Sequence, residues 1–357
     1  MKTSRNKLSD SITISSNLQK LDDMILLINP NSQGGNTGKN WIDTYRNVKK
    51  FLPRHHKIIF TKKANDGISM TRKLLRKGYK NIVAVGGDGS INEVANGFFD
   101  FDSQQTRNSI EFRLDPSLKL INPKGILHVV PSGSRNVLAR SLELKHQGVE
   151  SLIRIRHMKR RKIDVIAATI TDKDNPSLTH DRIVMNAAEI GAGAEIIDRS
   201  KRVRGKVKNR LVSTMASIIA TLPSYNSNKC DIIIDKHKKI SSKMTMGIVA
   251  NGRFLGGGFK AAPRAKFSDG LLDIIILKNS GSFKMIDKLI ELKGTSTYKY
   301  EEDILYYQAS EVKFLPKERD VTVTVSVDGE PIGMLPAIFK IYHNILNIKS
   351  EAPSAII

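Results

Sequence analysis

Asn81-Ile82-Val83-Ala84-Val85-Gly86-Gly87-Asp88-Gly89-Ser90-Ile91-Asn92-Glu93-Val94-Ala95-Asn96-Gly97 is the stretch that decides the architecture. Its apolar start predicts a strand over Asn81–Val85. Gly86-Gly87-Asp88-Gly89 breaks the run, and a helix is expected from Ser90 to Phe98. Two further strand ends have the same form. Met24–Ile28 runs into Asn29-Pro30-Asn31-Ser32-Gln33-Gly34-Gly35, and Gly125–Val130 runs into Pro131-Ser132-Gly133-Ser134-Arg135-Asn136. Lys57–Phe60 reads as another strand, and residues 37–52 and Gly67–Lys77 as helical. Strands alternating with helices predict a parallel sheet with right-handed crossovers.

In such a sheet the turns after the strands gather at its carboxyl edge, where ligands bind. Glycines let a ligand approach the backbone, and helix N-termini add partial positive charge. Three such turns, with Ser and Asn interleaved, predict a phosphate-binding edge. Two familiar phosphate motifs do not apply. Gly34–Asn40 fails as a Walker A loop, because Gln33 stands where its first glycine belongs and Asn40 where Ser or Thr belongs. Gly86–Gly89 does not make the spacing of a dinucleotide fingerprint.

Beyond about residue 160 the pattern turns β-rich. Ile163–Ile170, Arg182–Asn186, Asp231–Ile234, Lys243–Asn251, Leu272–Lys278 and Val321–Val327 read as strands, with helical insertions near 206–222 and 282–293. Residues 100–124 read as a surface insertion and 171–181 as a polar loop. The expected organisation is a flexible arm over 1–20, an α/β nucleotide-binding domain over 21–160, a β-rich domain over 161–345 and a tail over 346–357. The fold class is α/β plus all-β. A three-layer α/β domain with a parallel sheet and a phosphate-binding edge precedes a β-sandwich-like domain.

The 357 residues carry 58 Lys+Arg against 35 Asp+Glu, a net charge of +23, so the expected partners are anionic. The single Cys230 rules out an internal disulfide and a cysteine zinc cluster. No apolar run approaches the roughly 20 residues of a membrane span, so no transmembrane segment is expected and the localisation expected is cytoplasmic. Two basic stretches, Arg154–Lys162 and Arg199–Arg210, contain no acid. They suit either a solvated surface or peripheral docking on an anionic membrane. Nothing resembles a base-reading motif, so no nucleic acid is expected. The oligomeric state is open, a homo-oligomer included.

Val85–Gly97 closely resembles the Gly-Gly-Asp-Gly-Thr signature of the diacylglycerol kinase catalytic-domain family, which includes diacylglycerol, sphingosine, ceramide and YegS-like lipid kinases. Asn29-Pro30-x-Ser32 is similar to its opening motif, with Gln33 ahead of the glycine, and Pro131-x-Gly133-Ser134-x-Asn136 to its third turn. Ser90 and Ser134 stand where the family usually has Thr. The resemblance continues at Asn186–Gly191, Asn251-Gly252, Asp269-Gly270-Leu271-Leu272-Asp273 and Asp328-Gly329-Glu330, and so spans residues 24–345.

The resemblance implies an ATP- and Mg²⁺-dependent kinase acting on a lipid hydroxyl. Asn29, Pro30, Asn31, Ser32, Gln33 and Gly34 would wrap the nucleotide phosphates, together with Gly86, Gly87, Asp88, Gly89, Ser90, Ile91 and Asn92. Thr61 and Ser134 would add contacts. A structural Mg²⁺ would be held by Asp269 and the carbonyls of Lys266 and Leu271, and Asp88 would anchor a catalytic Mg²⁺. By spacing alone, Asp269–Asp273 is equally a turn before a strand, and Asp164 reads as structural. The resemblance implies an α/β nucleotide-binding domain with the nucleotide in a cleft between it and the β-rich domain, faced by the late Asp-Gly-Glu. A lipid hydroxyl needs a proton acceptor, and that role goes to the pair Glu330 and Asp328, with Glu330 favoured and their parts not separable by sequence. Asp-Gly is also a hairpin-turn signal, but Pro331 follows directly and the next strand-like run starts near Ala337, which speaks against a two-residue hairpin. Two other functions are compatible with parts of the pattern: an NAD kinase-like enzyme, and a non-catalytic basic binding protein on a kinase fold.

Overall fold

The computed structural model describes residues 23–101, 117–203, 210–256, 259–279, 302–318 and 320–350, without the side chains at 201, 203 and 210–215. The amino-terminal sheet is parallel, in the order β6 (Ile126–Pro131), β3 (Asn81–Gly86), β1 (Met24–Ile28) and β2 (His56–Phe60). All five residues of β1 are buried. Ile25 and Leu27 face one side with Ile91, Val94 and Phe98, whereas Met24, Leu26 and Ile28 face the other with Trp41, Val48 and Leu152. A strand covered on both faces has to be apolar throughout, which is why these strands read as unbroken hydrophobic runs. The covering helices are α1 (Asn36–Lys39), α2 (Trp41–Val48), α3 (Asp66–Arg76), α4 (Asp88–Asn96), α5 (Val137–Ser141) and α6 (Val149–Ile153). The three-layer expectation holds.

The insertion expected over 100–124 is bounded by a short hairpin of β4 (Phe99–Phe101) and β5 (Leu118–Leu120). The second domain is antiparallel. It contains β7 (Lys159–Thr171), β8 (Thr179–Val184), β9 (Ala187–Gly191), β10 (Asn228–Ile234), β11 (Lys238–Ala250), β12 (Leu272–Lys278), β13 (Ile304–Ala309), β14 (Glu311–Pro316), β15 (Thr324–Val327) and β16 (Glu330–Ser350). Its interior is built on Ile166, Ile232, Ile274 and an edge-on pair, Phe314 and Phe339, with ring centroids 6.3 Å apart. Two helices, α7 (Ala192–Val203) and α8 (Arg210–Thr221), pack together on the outside of this sheet system.

Several expectations need revision. Helix α7 precedes the predicted 206–222 helix, and β13 and β14 were not anticipated. The strand expected over Val321–Val327 is confined to Thr324–Val327. Strand β16 starts at Glu330, not near Ala337, and runs to Ser350, so the expected tail from 346 begins inside a strand. The helix predicted near 282–293 lies outside the described residues.

Strands β7 and β16 form one long antiparallel ribbon, from Met334 opposite Thr171 to Ser350 opposite Lys159. Ile163, Val165, Leu346 and Ile348 belong to the amino-terminal core, whereas Ile166, Ile170, Ala337 and Phe339 belong to the carboxyl-terminal one. Ile348 and Lys349 also pair in parallel with Leu127 and His128 of β6, so the chain's last strand completes its first sheet.

Asp164, on this ribbon, is fully buried. Its carboxylate accepts the backbone N–H groups of Gly270 and Asn344, each at 2.7 Å, and lies 3.0 Å from His343 Nδ1. The structural role read for Asp164 is correct: it ties the 266–271 turn to the ribbon. Asp164→Ala removes the acceptor of both half-buried N–H groups and is expected to cost roughly 2 kcal/mol in urea unfolding.

Candidate active site

The three glycine-rich turns meet at the carboxyl edge of the parallel sheet. The ladder continues past the strand ends, with Asn29 N–H donating to Val85 O at 3.1 Å and Ser132 N–H to Gly86 O at 2.7 Å. Asn29 Nδ2 donates to Ser90 Oγ at 2.8 Å, and its Oδ1 accepts the N–H of Asn31 at 2.9 Å. Thr37 and Ser132 hydroxyls lie 3.3 Å apart and link the first turn to the third. A Cβ on Gly133 would stand 2.4 Å from Gly87 Cα, so the second and third turns touch backbone to backbone. The buried Asn136 locks the third turn by bonding both the N–H and the carbonyl of Gly133, at 2.9 and 3.0 Å.

The first turn bends through three successive positive φ angles, at Gln33 (55°), Gly34 (68°) and Gly35 (91°). Gln33 thus adopts a backbone conformation normally left to glycine. Thr61 joins this edge, its N–H donating to Ile28 O at 2.9 Å. Two expected contacts point elsewhere. The Ile91 side chain is buried in the core, which leaves only its backbone for a ligand. The Asn92 side chain reaches across to the second domain.

That crossing is organised by Asp328. Val327 pairs with Glu330 around a two-residue turn in which Asp328 and Gly329 have φ of 47° and 82°. This is the tight hairpin that Pro331 had spoken against: a register shift beside Ser326 absorbs the proline, and pairing starts at once. The Asp328 carboxylate accepts four hydrogen bonds. They come from the N–H groups of Met185, Asn186 and Ala187 at 2.8, 2.8 and 3.0 Å, and from Asn92 Nδ2 at 2.5 Å. Burial pushes its pKa up to about 6, against the pull of those donors. Four donors thus hold the Asp328 carboxylate in one orientation.

Glu330, two residues on, is exposed, and its Oε1 lies 3.9 Å from where a Gly89 Cβ would be. An acid of the second domain thereby reaches the second glycine turn of the first. On the facing wall Asp88 begins α4, and its Oδ1 accepts the Leu138 N–H at 3.0 Å, capping α5.

The candidate metal turn is tight: Asp269 Oδ1 accepts the Leu271 N–H at 3.1 Å, and Gly270 has φ of 73°. Nearby Asp273 is fully buried, and its Oδ2 has no hydrogen-bond partner. Burial, and then the charge of Asp269, push its pKa up to about 7. Among the described residues no three His, Cys, Asp or Glu side chains converge as a ligand set, so backbone carbonyls such as those of Lys266 and Leu271 would have to contribute. An orphaned carboxylate oxygen beside a second carboxylate is a hard-oxygen environment that fits Mg²⁺.

One feature escaped sequence reasoning. A small cavity of about 60 Å³ lies between α7, α8 and the residues Leu255, Gly256, Phe259 and Ala261. Ile196, Ile218, Met246, Leu255 and Phe259 make it apolar, and Arg135 and Glu189 form a polar end. The spacing of Ala192, Ile196 and Ser200 carried the helical signal for α7. Glu189 is 5% exposed and accepts the Ser326 hydroxyl at 2.9 Å. Burial pushes its pKa up to about 8; the neighbouring Asp328 charge adds to this, and Ser326 and Arg135 oppose it.

Because Glu189 holds its proton more tightly folded than unfolded, its contribution to stability is complete below about pH 4.5 and is lost as the pH rises through about 8. Relative to Glu189→Gln, the parent protein is expected to lose stability across that window, by at most about 1.4 kcal/mol per pH unit. Denaturant titrations of both proteins at several pH values check this. Parallel profiles would contradict it.

Residues 23–168 match the diacylglycerol kinase catalytic domain, and residues 186–350 match the YegS C-terminal NAD kinase beta sandwich-like domain. A diacylglycerol kinase of Bacillus subtilis (strain 168) is 24% identical over 278 residues, covering 77% of this chain and 79% of its own. A diacylglycerol kinase of Staphylococcus epidermidis is 25% identical over 281 residues, covering 78% and 77%. A crystal structure of a diacylglycerol kinase from Bacillus anthracis str. Sterne shares the fold with a TM-score of 0.65 at 18% identity, over 94% of this chain and 99% of that one. The glycine-turn edge and the β-rich domain that closes over it, matched in order along the chain, make this protein a member of the diacylglycerol kinase catalytic-domain family.

Proposed function

We propose that the protein is an ATP-dependent kinase that transfers the γ-phosphate to the hydroxyl of a lipid of the diacylglycerol type. One observation carries this reading: Glu330 of the second domain comes up to Gly89 of the phosphate-edge turns, its Oε1 3.9 Å from where a Gly89 Cβ would be.

In the proposed step the glycine turns hold the triphosphate through backbone N–H groups and the positive ends of α4 and α5. Glu330 accepts the proton of the lipid hydroxyl as its oxygen bonds to the γ-phosphorus, and the bond from that phosphorus to the β–γ bridging oxygen breaks to leave ADP. Asp328 keeps the hairpin, and with it Glu330, in place. When bound, Mg²⁺ would neutralise charge developing on the phosphate oxygens. Asp88 is placed to hold it near the nucleotide, and Asp269 with the Lys266 and Leu271 carbonyls to hold a structural ion.

No helix among the described residues is long and apolar enough to cross a membrane, so the lipid has to be drawn from a membrane surface. The two basic stretches divide on this point. In the first, Arg160 bonds Asn347 and Arg161 bonds Ser350 and Leu142 O, which gives that stretch a structural use. In the second, Arg199 on α7 donates to the Ala220 carbonyl, beside the exposed Ile219 of α8, whereas Arg202 pairs with Asp198 on its own helix. Cations next to an exposed apolar side chain suit docking on an anionic bilayer.

Incubation with labelled ATP and a total lipid extract, followed by mass identification of the product, tests the activity itself; no labelled lipid would refute it. Glu330→Gln is expected to keep ATP binding and melting temperature and to lose roughly 10²–10⁴-fold in kcat. A value within about threefold of the parent removes the base assignment. Asp88→Asn keeps an acceptor for the Leu138 N–H but drops the charge. Its turnover is expected to fall about a hundredfold or more with the fold intact, whereas near-normal rates at saturating Mg²⁺ would exclude Asp88 as an anchor.

A further inference from the structure

Helix α5 closes in a turn that glycine normally makes. The Leu144 N–H donates to Ala139 O at 2.9 Å and the Glu143 N–H to Arg140 O at 3.0 Å, with Glu143 at φ 60°. This is the Schellman closure, whose left-handed position favours glycine because a Cβ is crowded there. A glutamate in that place stores strain, and glycine would be the less costly occupant. The Glu143 side chain has a use that glycine lacks. Its Oε1 accepts Arg253 Nη1 at 2.8 Å, so the pair spans from the first domain to the second. The guanidinium is steadied from its own side, where Nε donates to the Ala265 carbonyl at 3.2 Å.

The rest of this joint converges on the same three residues, Gly252-Arg253-Phe254. Arg140 lies over the Phe254 ring, 5.6 Å from its centre, and the Phe254 N–H donates to Ser141 Oγ at 3.2 Å. A Cβ on Gly252 would stand 2.9 Å from Ser141 Cβ. From the other side the Phe254 carbonyl accepts Asn186 Nδ2 at 2.7 Å, and the Asn186 N–H bonds Asp328, two residues before Glu330. The first turn of α5 is capped by Asp88. One short helix thus runs from the acid at the nucleotide edge to the segment that supports the Glu330 hairpin.

We infer that Glu143 is a positioning residue for phosphoryl transfer: its pair with Arg253 holds the second domain at the distance from which Glu330 meets the reacting hydroxyl. Magnitude separates this role from a stabilising one. The Glu143 and Arg253 side chains are 41% and 34% exposed, and an ion pair so open to water adds little to stability. Catalysis is less tolerant, because a misplacement of about 1 Å costs on the order of a hundredfold in rate. The glycine turns that hold ATP belong to the first domain, so a loosened pair spares ATP binding.

This inference rests on the lipid-kinase reading, and its test separates the two. The full chain is assayed with labelled ATP and a diacylglycerol in mixed micelles. Glu143→Gly relieves the backbone and removes the pair. It is expected to keep or raise the melting temperature and to leave the KM for ATP unchanged, while kcat falls roughly tenfold or more. Glu143→Arg should be impaired likewise, and adding Arg253→Glu should restore kcat to within about threefold of the parent. In a Glu330→Gln background, Glu143→Gly should cost less than about threefold further, because both changes act on one step. Parent-like kcat in Glu143→Gly, no recovery in the charge swap, or an undiminished loss on top of Glu330→Gln overturns the role of Glu143 and leaves the kinase reading intact. So does a Glu143→Gly variant whose melting temperature falls with its rate, which marks a structural pair. If Glu143→Arg does not fold, the Glu143→Gly measurements decide. A parent that phosphorylates no lipid overturns both.

Discussion

Four donors converge on the Asp328 carboxylate, and the geometry of the cleft depends on that convergence. Three come from consecutive backbone N–H groups where β8 leads into β9, and the fourth from Asn92 on the first domain's α4. A single side chain therefore fixes a hairpin, a connection and an interdomain contact at once. Asn96 strengthens the suture by accepting the Ile183 N–H at 2.8 Å and donating to Asn92 Oδ1 at 2.9 Å. Charge-assisted bonds of this kind are stronger than neutral ones, and a carboxylate this crowded by donors has a defined orientation. The neighbouring Glu330 inherits that precision while staying exposed enough to meet a ligand.

The second domain concentrates costly acids in one region. Glu189 and Asp273 are buried and Asp328 is half-buried, and burial pushes the pKa of each upward. Their partners differ. Asp328 has a full set of donors, Glu189 has a hydroxyl and a nearby guanidinium, and Asp273 has an orphaned oxygen. The gradient from full to incomplete satisfaction separates an acid that holds structure from acids whose environment leaves room for an incoming group.

Much of the architecture was legible in the sequence because burial on both faces forces the parallel strands to be apolar and forces breaks at their ends. The glycine turns were legible for a related reason: contacts such as Gly133 against Gly87 leave no space for a side chain. The resemblance added the order of motifs across both domains. What stayed hidden depends on distant pairings. Nothing local to Asp328 reveals that its partners are residues 92 and 185–187. The start of β16 was obscured because Pro331 and Pro336 interrupt its alternation, and the register shifts that accommodate them are tertiary facts. Glu189 lay inside a recognised motif, but its meaning came from α7, whose Gly191-Ala192-Gly193-Ala194 beginning reads as a loop.

The ribbon of β7 and β16 has a consequence for how this molecule is made. The first sheet is finished only when Ile348 and Lys349 settle beside Leu127 and His128. While the ribosome is still translating the second domain, β6 is an open edge with unpaired backbone groups and apolar neighbours, the kind of surface that invites wrong partners. Vectorial synthesis therefore cannot deliver a finished amino-terminal half ahead of the rest, and contacts so far apart in sequence make closure slow. A nascent chain interrupted before β16 lacks both Glu330 and the strand that pairs with β6, so one missing strand leaves both domains incomplete.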